Sequence, residues 1–227
     1  PTHFANKLNN SEKRLARSLI KILRHAKPAD PGISEDGYVN IDNLLKFQPF
    51  KKIKFNQELG LRIVAQDNKN RFSMINRNGK IMIRANQGHS VPTVKANKLL
   101  QPVLDPSEIP TVIHGSFFDK WSLILSSGGL NKMNRNHIHF TTGLPKDNEV
   151  ISGMRRSAEI AIFIDTSKAM QMGIKFYISS NGVILSPGLG DTGTIPIACI
   201  DKVLNITGKQ PTEIYDVIQY QALEANI

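Results

Sequence analysis

The pattern of apolar residues changes near the middle of this 227-residue chain, and that change limits the folds it can adopt. The first half has apolar residues at helical spacing followed by a hairpin pattern, whereas the second half has many short, strand-length apolar runs. Between the halves lies a stretch with little periodicity that carries Pro92, Pro102, Pro106 and Pro110, which predicts a linker. We therefore predict an α+β protein with two lobes, residues 1–100 and residues 101–227.

The first lobe has the pattern of three helices followed by a β-hairpin. Four residues at helical spacing predict the first helix: Leu15, Leu19, Ile22 and Leu23. Asp42 and Asn56 are candidate N-caps for the second and third helices. Asn78 and Gly79 predict a tight turn between two strands. This order of elements is that of a winged-helix module, which can bind either nucleic acid or protein, so the fold alone leaves the function open.

The second lobe has the pattern of a mostly antiparallel sheet with few helices. The candidate strands cover residues 111–114, 137–140, 159–164, 175–179, 183–185 and 195–200. A helix is predicted over residues 118–125, with Trp121, Ile124 and Leu125 facing inward, and a shorter one after Thr166. Asn181 and Gly182 predict a hairpin turn.

Composition restricts the partners and the compartment. The formal net charge of +10 favours a polyanionic partner, either nucleic acid or an acidic membrane surface. The one cysteine, Cys199, lies in an apolar run, which predicts a buried core residue and a reducing compartment. No apolar stretch approaches the roughly 20 residues of a membrane span, and the first residues are polar. These features predict an intracellular protein of the nucleus or cytoplasm that is neither secreted nor membrane-bound.

Residues 133–140 combine side chains that can bind an anion or transfer a proton. They place Arg135 close to His137 and His139, and no acidic residue within the segment neutralises the charge. If the segment is a strand, the two histidines lie on the same face. A guanidinium binds phosphate, and an imidazole can hydrogen-bond a ribose, so the segment is suited to an anionic ligand. A metal site would need a third ligand from elsewhere, and we predict none.

The histidines allow two chemical interpretations. His114 with Ser116, and His139 with Thr141, are both His-x-Ser/Thr elements, the pair found in phosphoesterases that use one imidazole as base and the other as acid. Alternatively, the histidines bind the ribose of a nucleotide while arginines hold phosphate. The residue types alone do not separate these two interpretations.

Several further segments resemble those of a known family, and this resemblance favours the second interpretation. They are Leu23-Arg24-His25, Asp36-Gly37-Tyr38, His114-Gly115-Ser116 and residues 68–72, 84–90, 133–139, 152–155 and 181–185. In this order and spacing they resemble the NAD-dependent tRNA 2′-phosphotransferase family. The most specific are Gln-Gly-His-Ser at residues 87–90 and Arg-x-His-x-His at residues 135–139. The resemblance extends over most of the chain, from about Leu15 to Ile200.

The resemblance implies an RNA-binding winged-helix lobe joined to an ADP-ribosyltransferase-like lobe that binds NAD. Family members remove the internal 2′-phosphate left at a tRNA splice junction. The phosphate attacks C1″ of the nicotinamide ribose, and the 2″-hydroxyl then attacks phosphorus, releasing ADP-ribose 1″,2″-cyclic phosphate and a 2′-hydroxyl RNA. NAD is consumed, no metal is required, and we expect a monomer acting on 2′-phosphorylated tRNA or RNA. The alternative is an NAD-independent two-histidine phosphoesterase acting on RNA.

The resemblance also implies roles for individual residues. Its essential set of three arginines and a histidine corresponds to Arg24, Arg71, His114 and Arg135. The implied NAD contacts are His114, Gly115, Ser116, His137, His139, Ser152 and Arg155. The implied contacts to RNA or its 2′-phosphate are Arg24, His25, Arg71, Arg84, Gln87, His89 and Ser90. Ser116 departs from the family, which usually has threonine there; the hydroxyl is kept and a methyl is lost.

Overall fold

The computed structural model describes residues 7–26, 32–46, 50, 55–144 and 153–216. The chain divides into two compact units, residues 1–100 and residues 101–227. Within the described residues it forms six α-helices, and every strand pair is antiparallel. The prediction of a mixed protein with antiparallel sheets is confirmed. None of the helices in the described ranges has the length and apolar character needed to cross a membrane.

The first unit begins with α1 (Asn10–His25), whose start is fixed by a capping box. The Asn9 side chain accepts a hydrogen bond from the Glu12 backbone N–H, and the Glu12 carboxylate accepts one from the Asn9 N–H. One face of the helix is buried, through Leu15, Leu19, Ile20 and Leu23. Because Leu15, Leu19 and Leu23 recur every four positions and Ile20 adjoins this row, burying them leaves most charged residues of the helix on the opposite side.

The other elements of the first unit form a small helical layer and a three-stranded sheet. They are β1 (Val39–Asn40), α2 (Ile41–Leu44), α3 (Gln57–Ala65), β2 (Phe72–Arg77), β3 (Lys80–Ala85) and α4 (Ala96–Leu99). The strand order is β1-β3-β2. The predicted hairpin turn is confirmed, since Asn78 and Gly79 have φ values of 52° and 76°.

One of the two predicted caps is wrong. Asn56 caps α3 as expected, accepting a hydrogen bond from the Leu59 N–H. The cap of α2, however, is Asn40, whose side chain accepts from the N–H of Asp42. Both residue types are good caps, and the choice follows from the burial of Ile41, which is 2% exposed; the helix therefore begins two residues earlier than predicted.

The second unit contains two four-stranded sheets and one strand pair. Its strands are β4 (Gln101–Pro102), β5 (Ile113–Ser116), β6 (Gly129–Asn131), β7 (Ile138–Phe140), β8 (Ile160–Ile164), β9 (Tyr177–Ile178), β10 (Ile184–Ser186), β11 (Thr194–Pro196), β12 (Ile200–Asn205) and β13 (Thr212–Asp216). The sheets have the orders β13-β12-β8-β5 and β4-β9-β10-β7, and β11 pairs with β6. The helices are α5 (Phe118–Ser126) and α6 (Thr166–Gln171).

The core of the second unit is built from strand residues. Ile160, Ile162, Phe140 and Phe176 are at most 1% exposed, and Cys199 is fully buried as predicted. Trp121 and Ile124 of α5 pack against this core, whereas Leu125 is half-buried. The strand predicted over residues 195–200 is wrong in its middle, because a 3₁₀ turn at Ile197–Cys199 separates β11 from β12.

The predicted linker is also more ordered than expected. It contains α4, β4 and a 3₁₀ turn at Pro106–Glu108. Strand β4 pairs with β9, and Val103, Ile109 and Val112 are at most 6% exposed. The prolines interrupt regular periodicity, but these three apolar residues are still buried in the hydrophobic core.

Candidate active site

In the second unit, β5 brings His114 beside the Arg-x-His-x-His segment. The strand pairs along its length with β8, and Ile113 exchanges two backbone hydrogen bonds of 2.9 Å with Thr141, directly after β7. Strand β5 is therefore held on one side by a central strand and on the other by the end of β7. This arrangement places the His114 side chain next to the backbone of His139.

The position of the proton on His114 follows from its hydrogen bond. Its Nδ1 lies 2.9 Å from the backbone oxygen of His139, and a carbonyl oxygen only accepts, so Nδ1 carries the hydrogen. The neutral ring therefore has a lone pair on Nε2. Burial lowers the pKa of His114, the His139 carbonyl raises it, and the Arg135 charge lowers it further, with a net lowering. The Nε2 atom is thus an acceptor at neutral pH.

The turn that carries Arg135 is tied to the glycine-rich residues 188–193. The Lys132 N–H donates to the Gly193 carbonyl at 3.0 Å, and the Asn131 amide donates to Thr194 Oγ1 at 2.8 Å. The same Asn131 side chain accepts from the Met133 N–H at 2.6 Å. Met133 has a φ of +55° and is 77% exposed, so this turn contains an unusual left-handed residue with an apolar side chain in solvent.

A second guanidinium, that of Arg155, lies close enough to Arg135 for its charge to act on it. Partial burial lowers the pKa of Arg135, and the nearby Arg155 charge lowers it further. Burial lowers the pKa of His114 and the Arg135 charge lowers it further, so a neutral imidazole lies close to the two arginines. We call these three side chains the electropositive cluster, with its charge on Arg135 and Arg155. An anion bound by both guanidinium groups would offset the repulsion between them.

Residues 153–155 pack against β5 and the end of β7. Gly153 has a φ of +108°, and a Cβ there would lie 2.7 Å from the Phe140 carbonyl oxygen. The Met154 side chain covers Gly115 so closely that a Cβ on Gly115 would lie 2.3 Å from Met154 Cγ. The two glycines thus let the segment approach the strands and place Arg155 near Arg135. Ser152 lies outside the described residues.

The remaining NAD-contact candidates have different surroundings. Burial and the Lys132 charge lower the pKa of His137 to about 4, so this imidazole is neutral near pH 7. Its ring packs edge-on against Tyr177 at 5.9 Å between centroids. Ser116 is 7% exposed, and its carbonyl accepts from the Glu159 N–H at 2.9 Å. His139 is half-buried on β7. Contacts of these residues to NAD stay predictions.

In the first unit, Arg71 is fixed by Asp67. The Arg71 Nε and Nη2 atoms lie 2.9 and 2.6 Å from Asp67 Oδ1, and its backbone N–H donates to Oδ2 at 2.5 Å. The Asp67 carboxylate is almost completely buried, whereas the guanidinium is one-third exposed. The forked donor geometry holds the outward part of Arg71 in one orientation. The sequence reasoning missed Asp67, although its spacing of four residues from Arg71 was visible.

Arg24 and His25 occupy the last turn of α1, and Ser90 is bonded to both. The Ser90 N–H donates to the Arg24 carbonyl at 2.8 Å, and Ser90 Oγ lies 2.9 Å from His25 Nδ1. Ser90 thus satisfies a carbonyl that the helix end leaves without an intrahelical donor. His25 is exposed and Arg24 is half-buried.

The other RNA-contact candidates are less accessible. Gln87 and His89 are 6% and 2% exposed, and the His89 ring packs over Gly37, where a Cβ would lie 3.3 Å from Nε2. Arg84 stacks on Tyr38 at 4.6 Å and donates to the Asp36 carbonyl at 3.2 Å. These contacts favour a supporting role for the three side chains, and their contact with RNA stays a prediction.

Comparisons with known proteins agree on one family. The chain matches the model "RNA 2'-phosphotransferase, Tpt1 / KptA family" over residues 10–188. It is 42% identical to tRNA 2'-phosphotransferase 1 of Danio rerio, over 77% of this chain and 78% of that one. It is 31% identical to tRNA 2'-phosphotransferase of Saccharomyces cerevisiae, over 94% and 93% of the two chains.

A third relative, from Schizosaccharomyces pombe, also carries the tRNA 2'-phosphotransferase name. It is 45% identical over 77% of this chain, and the match spans about half of the relative's length, 47%. The family match ends at residue 188, so it includes α1 to α6 and β1 to β10 and leaves out β11 to β13. The chain belongs to the RNA 2'-phosphotransferase family of enzymes.

Proposed function

We propose that this protein removes the 2′-phosphate at the splice junction of ligated tRNA by transferring it to NAD. The products are ADP-ribose 1″,2″-cyclic phosphate, nicotinamide and an RNA with a 2′-hydroxyl. The bond from C1″ to nicotinamide breaks with its electron pair going to nicotinamide, and the bond from phosphorus to the RNA 2′-oxygen breaks. Phosphorus ends bonded to the 1″ and 2″ oxygens, and the 2″-hydroxyl proton goes to the RNA 2′-oxygen.

The two units would divide this work. In the first, three helices precede a hairpin whose sheet has the order β1-β3-β2, which supports a winged-helix lobe that binds RNA. In the second, antiparallel sheets carry the electropositive cluster, which supports an ADP-ribosyltransferase-like lobe that binds NAD. The proposed boundary is residues 1–100 for the RNA lobe and residues 101–227 for the NAD lobe.

The residues of the second unit fit NAD as a co-substrate. When bound, NAD supplies a ribose carbon that carries a good leaving group. His114 Nε2 is an acceptor suited to a ribose hydroxyl, because the other ring nitrogen donates to the His139 carbonyl. Gly115 lacks a side chain on the strand between His114 and Ser116, and only the flexible Met154 covers it. The implied contacts of Gly115, Ser116, His137, His139 and Ser152 belong to this proposal.

Arg135, Arg155 and His114 would act on the transferred phosphate. The phosphate carries dense negative charge throughout, and two neighbouring guanidinium groups with charge-assisted hydrogen bonds would stabilise it. His114, neutral at pH 7, accepts a hydrogen bond from the ribose 2″-hydroxyl and takes its proton as that oxygen bonds to phosphorus. Its depressed pKa makes it a modest base that releases the proton readily to the departing 2′-oxygen.

On the RNA side, Arg24 and Arg71 would hold the splice-junction phosphate. Arg71 is suited to this because Asp67 fixes its fork from behind, which lowers the entropy lost when its exposed edge binds an anion. His25, also at the end of α1, is exposed and could contact a phosphate of the RNA. The less accessible side chains would stabilise the position of these phosphate-binding residues; they are His89, Gln87 and Arg84.

The observation that carries the proposal is the cluster of His114, Arg135 and Arg155 in a member of this family. The test is incubation of a short RNA bearing one internal 2′-phosphate with and without NAD, following the products by mass. We expect phosphate loss only with NAD, accompanied by nicotinamide. Loss without NAD would favour the two-histidine phosphoesterase, and no loss in either sample would contradict an RNA 2′-phosphate substrate.

A further inference from the structure

A basic groove in the first unit lies beside α1, and Arg71 is the only one of its cationic lining residues with a role assigned so far. It is a cavity of about 820 Å³ between α1, the end of α3 and the start of β2. Four cations line it, Lys7, Lys13, Arg17 and Arg71, against one carboxylate, Asp67. We refer to this cavity as the α1 groove.

The one carboxylate of the α1 groove does not neutralise the other cations. Asp67 is 8% exposed, and both of its oxygens accept hydrogen bonds from Arg71. Lys13 and Arg17 are exposed on α1, and the Arg17 Nε donates to the backbone oxygen of Lys13, which draws the guanidinium along the helix. The groove therefore keeps an excess positive charge that faces solvent.

The cations also follow a line that reaches Arg24. With 3.6 residues per turn, Lys13, Arg17 and Arg24 lie within about 40° of one another around α1. Eleven residues of helix separate the first from the last, a rise of about 16 Å. A stripe of cations thus runs along one face of α1 to the arginine assigned above to the substrate phosphate. A single small anion covers only a fraction of that length.

Polar groups beside the cations fit a strand of nucleic acid. Asn68 is exposed and Gln66 half-buried at the groove, and amide side chains hydrogen-bond sugar and phosphate oxygens. Gln66 Oε1 accepts from the Leu8 N–H at 2.8 Å, which fixes the segment before α1 and with it Lys7. A strand with stacked bases has one phosphate per about 3.4 Å of helix axis, so the 16 Å stripe matches roughly five nucleotides of a stacked strand and fewer of an extended one.

We propose that the α1 groove binds the phosphate backbone of the RNA strand that flanks the 2′-phosphorylated nucleotide, with Lys13 and Arg17 as its main contacts. The inference rests on the proposed function for the identity of the substrate. It adds a length-dependent contact that acts on RNA affinity and leaves the bond changes at phosphorus to other residues. Lys7 and Asn68 widen the same surface.

The test compares binding of two RNAs that share the same 2′-phosphorylated nucleotide. The short RNA ends beside that nucleotide, and the long RNA extends about five nucleotides further on both sides. The double variant Lys13→Gln, Arg17→Gln should weaken binding of the long RNA about tenfold more than binding of the short one at low salt. It should also reduce the slope of log affinity against log salt by about 1.4, the value for two lost phosphate contacts on a single strand.

A matched control removes the same charge elsewhere on the first unit. Arg14 and Lys98 are exposed and do not line the α1 groove, so Arg14→Gln, Lys98→Gln tests net charge alone. Equal effects of the two double variants would overturn the proposal, as would an unchanged preference of the groove variant for long RNA. Binding of an acidic peptide with the same groove dependence would overturn the assignment to RNA.

The binding assay needs no NAD, so its outcome is separate from that of the proposed reaction. If phosphate transfer fails but the long RNA binds through the groove, the reaction assignment is wrong and the groove assignment stands. If transfer proceeds and the groove variant shows no length effect, the reaction assignment stands and the groove assignment is wrong. Thermal unfolding of both double variants verifies that each is folded at the assay temperature.

Discussion

Arg71 of the first unit and Arg135 of the second are assigned to phosphates in the same reaction, but the protein holds them in opposite ways. Arg71 is bound by a buried carboxylate through its backbone N–H and two guanidinium nitrogens. Arg135 has a second arginine, Arg155, near it, and partial burial together with the Arg155 charge lowers its pKa. The Arg71 guanidinium is paired with a carboxylate and held in one orientation before substrate binds, whereas the Arg135 guanidinium has another positive charge near it.

The difference indicates what each arginine contributes. A guanidinium that is already paired binds an anion with little change in its own electrostatic energy, so Arg71 contributes mostly orientation. A guanidinium beside another cation gains more when an anion arrives, because the anion also removes the repulsion. We therefore expect Arg135 to contribute the larger share of transition-state stabilisation.

The largest expected effect comes from Arg135→Ala. We expect kcat to fall about 100- to 1000-fold, the range for losing one preorganised charge donor, while RNA affinity changes little. Folding stability should be retained or slightly increased, because the repulsion from Arg155 disappears. Steady-state kinetics and thermal unfolding measure both. The exposed neighbour Arg156→Ala serves as control, and near-complete turnover by Arg135→Ala would contradict its role.

A smaller, mixed effect is expected from Asp67→Asn. The amide leaves Arg71 without its carboxylate and one buried group partly unsatisfied, at a cost of about 1–3 kcal/mol in the free energy of unfolding. As a positioning residue, Asp67 should change KM for RNA more than kcat when both proteins are fully folded at the assay temperature. The exposed Asp42→Asn is the control. A stability loss with unchanged KM would limit Asp67 to a structural role.

The histidine near Arg135 gives a prediction for pH. The folded-state pKa of His137 is lowered to about 4 from its ordinary 6.5, so the unfolded chain binds the proton more readily. The stability contributed by neutral His137 is therefore complete above about pH 6.5 and is lost as the pH falls to about 4. The variant His137→Phe keeps an aromatic ring beside Tyr177 and should show a smaller fall in Tm over this window. An identical fall in both proteins would contradict the assignment.

The smallest effect concerns the turn that positions Arg135. Met133 adopts a left-handed backbone, which costs a side-chain-bearing residue about 1–2 kcal/mol and costs glycine much less. Because its side chain is 77% exposed, Met133→Gly should raise Tm by a few degrees. Asn78→Gly is the comparison, since Asn78 has a similar φ of 52° but asparagine tolerates it, and its gain should be smaller. A lower Tm for Met133→Gly would show that its side chain stabilises the turn.

Local signals predicted the parts of the fold that depend on neighbouring residues. The cap at Asn56 and the turn at Asn78 and Gly79 were found because each needs only a few adjacent residues. The cap of α2 was misplaced because Asn40 and Asp42 are both suitable, and the burial of Ile41 decides between them. The 3₁₀ turn at Ile197–Cys199 is hidden in an apolar run that looks like one continuous strand.

The sequence identified the candidate site residues but not the residues that each of them contacts. The motifs identified Arg71 and Arg135, but their partners Asp67 and Arg155 follow from a local turn and from a distant segment brought over β7 by Gly153. Likewise, the tautomer of His114 depends on the His139 carbonyl, which is 25 residues away in sequence and adjacent only once β5 and β7 are aligned. The contacts of Arg155 and of the His139 carbonyl depend on tertiary structure, which periodicity does not encode, whereas Asp67 lies only four residues from Arg71.

The central claim, transfer of the phosphate to NAD rather than to water, is tested most directly by running the reaction in ¹⁸O-labelled water with a 2′-phosphorylated RNA and NAD. Transfer forms one new bond from a phosphate oxygen to C1″ and one new bond from the ribose 2″-oxygen to phosphorus, while the RNA keeps its own 2′-oxygen. The cyclic phosphate and the RNA should therefore both contain no solvent oxygen. Attack by water would instead place one labelled oxygen in inorganic phosphate. Unlabelled ADP-ribose 1″,2″-cyclic phosphate is the predicted result, and labelled inorganic phosphate as the first product would contradict the account.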